Sequence, residues 1–119
     1  MIQRRAFLSA LASAFALERI ARAQQAPPPD DLIADLVAAN RILAMENVLD
    51  AMGHVSVRHP SRPDRFLLAR SMPPELVTAA DILELDLAAN PVDKSGRASY
   101  LERFIHSEIY RARRAVNAI

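Results

Sequence analysis

The sequence predicts an α+β fold in which a mostly antiparallel sheet is flanked by helices. Three observations predict it. Apolar residues recur at helical spacing from Leu32 to Met52. Three short strand-like segments come next, separated by turn signals and not by helix-length runs. A second amphipathic helix then begins at Ser99. Helix, hairpin, strand and helix in that order do not make alternating βαβ units.

Residues 1–26 read as an export signal and the start of a linker. Arg4-Arg5 precede Ala6-Phe7-Leu8, the apolar run continues to Leu17, and Ala21-Arg22-Ala23 offers a small-x-small cleavage site. R-R-x-F-L is similar to the twin-arginine type, which implies a periplasmic or exported protein. The run is too short for a permanent membrane anchor. The alternative is an amphipathic helix that stays attached.

Residues 1–23 hold four of the 15 basic and one of the 14 acidic side chains, so the remainder has 11 and 13, a net of −2. The formal +1 of the whole chain therefore belongs to the signal. No basic stripe remains to argue for nucleic acid. The chain has no cysteine, which excludes a disulfide framework and a thiolate metal site. About 95 residues after the signal suffice for one small domain.

Residues 27–31 are a stiff proline-rich linker, with Pro27-Pro28-Pro29 extended. Asp30 or Asp31 is placed to cap the next segment. Leu32 to Met52 reads as one long helix or two joined ones. Leu32, Leu36, Leu43 and Leu49 form its stripe, widened by Ile33, Val37, Ile42 and Val48. Gly53 is the expected terminator. Val55 to Arg58 is a short strand, and Arg65 to Ala69 is its hairpin partner across the turn His59 to Asp64. Pro73-Pro74 breaks the pattern. Thr78 can cap a turn through Asp81. Ile82 to Leu87 alternates as a half-buried strand, and Ala89 to Gly96 is a polar loop.

The last helix carries the chemistry. Leu101, Phe104, Ile105 and Ile109 are expected to face the core. Glu102 and His106 are four apart, which sets a carboxylate and an imidazole on one face. The pair suits proton transfer or help with a metal. Ser99 and Glu102 also read as a capping box, S-x-x-E.

Glu102-x-x-x-His106 runs on into Ile109-Tyr110-Arg111-Ala112-Arg113, and Gly53-His54-Val55-Ser56-Val57-Arg58 stands upstream. Together these blocks resemble the class II aldolase/adducin head-domain family, whose upstream block reads G-N-x-S-x-R. Arg65 to Leu68 and Asp81 to Leu87 stand between them in the family's order. The resemblance runs from Leu32 to Ile119.

It implies the N-terminal part of a three-layer α/β/α domain. It also implies a divalent metal, usually zinc, that polarises a carbonyl and stabilises an enediolate, with Glu102 as the acid/base. The activities implied are those of aldolases, epimerases, dehydratases and decarboxylases on small hydroxy-carbonyl substrates. The assembly implied is a homotetramer with sites at subunit interfaces. The alternative is a non-catalytic module, since adducin keeps this fold as an interaction head.

The family binds phosphate through the G-N turn, a Ser/Thr-Gly pair and two serines before the glutamate. Here His54 replaces the asparagine, Arg70-Ser71-Met72-Pro73 has no glycine, and Tyr100-Leu101 replace the serines. The implied substrate-binding set is Gly53, His54, Ser56, Arg70 and Ser71, suited to a carboxylate or hydroxyl group. Arg70 reads equally as a solvated loop charge. The family's metal ligands come from an H-x-H on the strand after this helix and from further on. The sequence stops at Val116-Asn117-Ala118-Ile119. No metal ligand is assigned, and the 119-residue chain is expected to be inactive.

Overall fold

The computed structural model describes residues 15–22 and 26–119. Residues 15–22 are helical and exposed. Arg4-Arg5 and Ala23 of the expected signal lie outside the described residues. Among those described, no helix is long and apolar enough to cross a membrane.

Helix α1 spans Asp30–Met45, with Pro29 at its N-cap and Asp30 and Asp31 in the first turn, where the helix dipole favours them. It ends seven residues before the expected Met52. The terminator is Asn47, not Gly53. Asn47 has φ 56 and donates its N–H to Ala44 O, while Val48 N–H reaches Leu43 O at 2.8 Å. These are the two bonds of a Schellman motif. Asn tolerates the left-handed conformation through its short polar side chain. Ile42 and Val48, placed on the buried stripe by periodicity, are 55% and 66% exposed. Gly53 answers a different need: a Cβ there would sit 2.7 Å from Leu49 Cβ.

Three strands come after α1, β1 at Ser56–Arg58, β2 at Arg65–Ala69 and β3 at Ile82–Asp86. They form an antiparallel sheet in the order β1-β2-β3. Val57 pairs with Leu67, and Leu67 with Glu84. β3 buries Leu83 and Leu85 and leaves Ile82, Glu84 and Asp86 half-buried, the alternation its sequence shows. β2 buries both faces, so the central strand is covered on two sides. Thr78 closes the turn before β3, donating its N–H and hydroxyl to Asp81 at 3.0 and 2.6 Å. Residues 117–119 pair antiparallel with the outer edge of β1, through Arg58 N–H to Asn117 O at 2.7 Å and Ser56 N–H to Ile119 O at 2.9 Å.

Helix α2 spans Arg103–Ala112. Its orientation reverses the expectation. Leu101, Phe104 and Ile105 are 79%, 49% and 60% exposed, and the buried residues are His106, Ser107 and Tyr110. The inward face is polar because the sheet supplies partners for it. The core itself gathers Phe66, Leu68, Val77, Leu83, Leu85, Tyr100 and Tyr110.

Candidate functional site

The polar floor of the site joins β1 to α2. Ser56 Oγ lies 2.7 Å from His106 Nδ1 and 2.8 Å from the Tyr110 hydroxyl. His106 and Tyr110 reach one hydroxyl because they are four apart on a helix. Ser107 Oγ donates to Leu87 O at 2.6 Å. Burial, and then the charge of His54, push the His106 pKa down to about 4. His106 is therefore a neutral ring at neutral pH, hydrogen-bonded inside the fold.

Arg58 holds the far end of α2. Its guanidinium donates to the carbonyls of Val116 (2.9 Å), Pro63 (2.7 Å), Tyr110 (2.9 Å) and Arg113 (3.0 Å). It also lies 4.6 Å from the centre of the Tyr110 ring. A cation at a helix C-terminus faces the negative pole of the dipole.

The rim sits above this floor. His54 Nδ1 lies 2.9 Å from Met52 O. A carbonyl only accepts, so the ring proton is on Nδ1 and Nε2 is the open side. The imidazole stacks on Tyr100 at 4.2 Å between centroids and stands 4.9 Å from the His106 ring. The Tyr100 hydroxyl donates to Met72 O and accepts the Met72 N–H at 3.2 Å. Tyr100 thereby bridges the His54 turn and the Arg70–Met72 loop. Burial raises the Tyr100 pKa, the Met72 bond and the Arg70 charge oppose it, and the charges of Glu102 and Glu75 add to it.

Arg70 Nε donates to Asp81 Oδ1 at 2.7 Å. The Thr78 hydroxyl first, and then Arg70, hold the Asp81 carboxyl at about 2. Ser71 donates its N–H to Ala98 O at 2.9 Å. Glu102 is exposed at the N-cap of α2, with no side-chain cap bond. Ser99 Oγ is buried without a hydrogen-bond partner among the described residues. The expected capping box is therefore not formed: the chain turns at Leu101-Glu102 before the helix begins.

Of the residues expected at the site, His54 stacks on Tyr100, Glu102 stands exposed two residues beyond Tyr100, and Arg70 turns to Asp81. Ser56 lies beneath them, fully buried. Gly53 shapes the turn, and the Ser71 amide is engaged by the backbone. Sequence reasoning missed Tyr100 and Tyr110. A signal was present, since these are the only two tyrosines of the chain; both are 2% exposed or less.

The donor set does not fit a catalytic zinc, which takes three protein ligands. Among the described residues no group of three His, Asp or Glu is placed to hold a metal ion. His106 Nδ1 is bonded to Ser56, and His54 Nδ1 carries a proton.

Comparison with known proteins bears on the family and the fold. The family model described as the class II aldolase and adducin N-terminal domain matches residues 34–119. Decarboxylase tropJ of Talaromyces stipitatus is 45% identical over 76 residues, which are 62% of this chain and 29% of that protein. The crystal structure of an aldolase II superfamily protein from Pseudomonas syringae superposes with a TM-score of 0.68 at 28% identity, covering 78% of this chain and 39% of that one. An L-fuculose 1-phosphate aldolase from Glaciozyma antarctica gives 0.64 at 28% identity, covering 81% and 44%. The chain thus spans less than half the length of each.

Proposed function

Because the chain belongs to the class II aldolase and adducin N-terminal domain family, we propose that it carries the acid/base and substrate-binding part of a lyase for small hydroxy-carbonyl compounds. One observation carries the reading: the His54 ring stacks on Tyr100, two residues before the exposed Glu102, above the hydrogen-bonded floor of Ser56, His106 and Tyr110. Glu102 is exposed and bound to no cap, so its carboxylate is available to take a proton beside a carbonyl. Arg70 presents N–H donors to the substrate and His54 the open Nε2, an acceptor in the neutral ring, and the Ser56–His106–Tyr110 bonds hold the floor rigid. The proposed assembly is a homotetramer, and a monomer in analytical ultracentrifugation would remove it.

The 119-residue chain is expected to bind zinc more weakly than micromolar and to turn over nothing. A longer form with an H-x-H after Ile119 should bind zinc tightly and turn over a hydroxy-carbonyl substrate. In that form Glu102→Gln is expected to abolish turnover while changing stability by less than about 0.5 kcal/mol, as for an exposed surface site. Unchanged turnover would make Glu102 structural. Sub-micromolar zinc binding by the short chain would overturn the reading of its donor set.

The second reading is a non-catalytic interaction module. The apolar outer face of α2, with Phe104 and Ile105 about half exposed or more, favours it. A longer form that binds zinc yet acts on no hydroxy-carbonyl compound would select it.

We also propose export, on the order of Arg4-Arg5, apolar run and small-residue site. N-terminal sequencing of the periplasmic form should begin near Gln24. A protein recovered from the cytoplasm with Met1 intact would refute export.

A further inference from the structure

We propose that a cleft at the C-terminal end of α2 binds a small dianion of the phosphate type, held by Arg58, Arg111 and Arg114. The site lies apart from the rim. Glu102, at the start of α2, and Tyr110, in the wall of the cleft, are separated by roughly 12 Å along the helix axis.

The cleft has a volume of about 280 Å³ and suits a small ligand. Three arginines and Asp64 stand in its walls, together with Leu87 and Tyr110. Three guanidiniums against one carboxylate give those walls a net charge of +2. Arg58 is the buried one of the three, at 8% exposed, and Arg111 and Arg114 stand exposed above it.

The end of a helix ordinarily repels an anion, because its free carbonyls carry about half a negative charge. Here Arg58 covers that pole. Its Nη2 donates to the carbonyls of Tyr110 and Arg113. One full positive charge set against about half a negative one leaves this end of α2 positive.

Donors remain unspent. A guanidinium has five N–H groups. Arg58 makes four hydrogen bonds, which leaves one N–H of Nη1 over. Arg111 is set against the wall by Leu87 O and by Glu108 Oε1, the latter at 2.6 Å, and each bond uses one N–H. Arg114 makes no hydrogen bond or ion pair among the described residues, and neither does the Asp64 carboxylate. N–H groups left over on three guanidiniums around one cleft match a tetrahedral oxyanion, which accepts on every side. A planar monoanion would balance only half of the wall charge. Asp64 opposes the ligand and holds its affinity down.

The test titrates the 119-residue chain with inorganic phosphate at mildly alkaline pH, where phosphate is a dianion. Sodium chloride holds the ionic strength constant, so that screening does not change. NMR follows the Arg58 Nε–H signal. One ion per chain is expected to bind saturably, at least ten-fold tighter than nitrate. Arg114→Gln should lose at least five-fold of that affinity. Arg113→Gln removes the same charge from the neighbouring position, but Arg113 lines the apolar groove of Phe104, Ile105 and Ile109 instead, so it should change the affinity by less than two-fold. Asp64→Asn should bind at least two-fold tighter, a gain that no folding defect can imitate. Methyl phosphate separates two sources of the ligand: binding equal to that of inorganic phosphate assigns the cleft to phosphate esters, and weaker binding assigns it to the free ion. Nitrate binding as tight as phosphate, or no saturation, would overturn the proposal. So would equal losses for Arg113→Gln and Arg114→Gln, which would reduce the attraction to general surface charge, or an Asp64→Asn chain that binds no tighter.

Discussion

Arg58→Met lowers the unfolding free energy by about 4 kcal/mol, because it strips a buried charge from four carbonyls at once. Arg58 is 8% exposed, and its partners come from three segments: Pro63 in the hairpin turn, Tyr110 in α2, and Arg113 and Val116 beyond it. Methionine keeps the apolar stem over Tyr110 and removes every donor. The carbonyls at the end of α2 then lose their partners inside the fold, where an unpaired group bears its full desolvation cost. Arg58→Lys is expected to fall between, at about 2 kcal/mol, since one ammonium cannot reach in all these directions. Urea unfolding of the three proteins measures this. A loss below about 1 kcal/mol for Arg58→Met would show that water replaces the guanidinium, and that the tie between β1 and α2 lies elsewhere.

Acid weakens the fold between pH 6.5 and about 4, and His106 accounts for about 3 kcal/mol of the loss. In the folded chain His106 is held at about 4 against an ordinary 6.5, first by burial and then by the His54 charge. Above pH 6.5 both states carry it neutral, and the stability is fully present. Between the two values the unfolded chain takes up a proton that the folded chain refuses, so stability falls as pH falls. Below about 4 both states are protonated and this contribution stops changing. The groups around the ring are Ser56, Tyr110 and His54, of which Ser56 and Tyr110 are neutral in this range. His59 is lowered as well, by burial and then by Arg62, so it adds to the slope of the native protein. The comparison is therefore with His106→Gln, whose stability should vary less with pH over this window. An equal slope in the two proteins would mean that His106 is solvated.

Much of the fold was legible. β1 and β2 lie where alternation and turn residues placed them. So does β3, because a half-buried antiparallel strand writes its burial into every second residue. The Thr78 turn was legible because capping is local. The site was legible in parts. Glu102, His54 and Arg70 were expected from the family resemblance, but the stacking of His54 on Tyr100 was not. The role of Tyr100 depends on Met72, 28 residues away in the chain.

By itself the sequence determined the order of elements, the antiparallel sheet and the set of residues from which a site can be made. These come from local rules of periodicity, turn chemistry and charge. The tertiary structure alone decided which face of α2 looks inward. Its apolar residues were expected in the core, yet the buried face is His106, Ser107 and Tyr110. Ser56, 50 residues before His106, and Leu87 O supply the hydrogen bonds that make this burial tolerable. The tertiary structure also moved the end of α1 from a glycine to Asn47. It turned Gly53 from a helix stop into a gap for Leu49. The physical reason is common to all three: burial costs a polar group little once its partner is in place, and a glycine is needed wherever another atom comes close. Neither partner nor close neighbour is written in the local pattern.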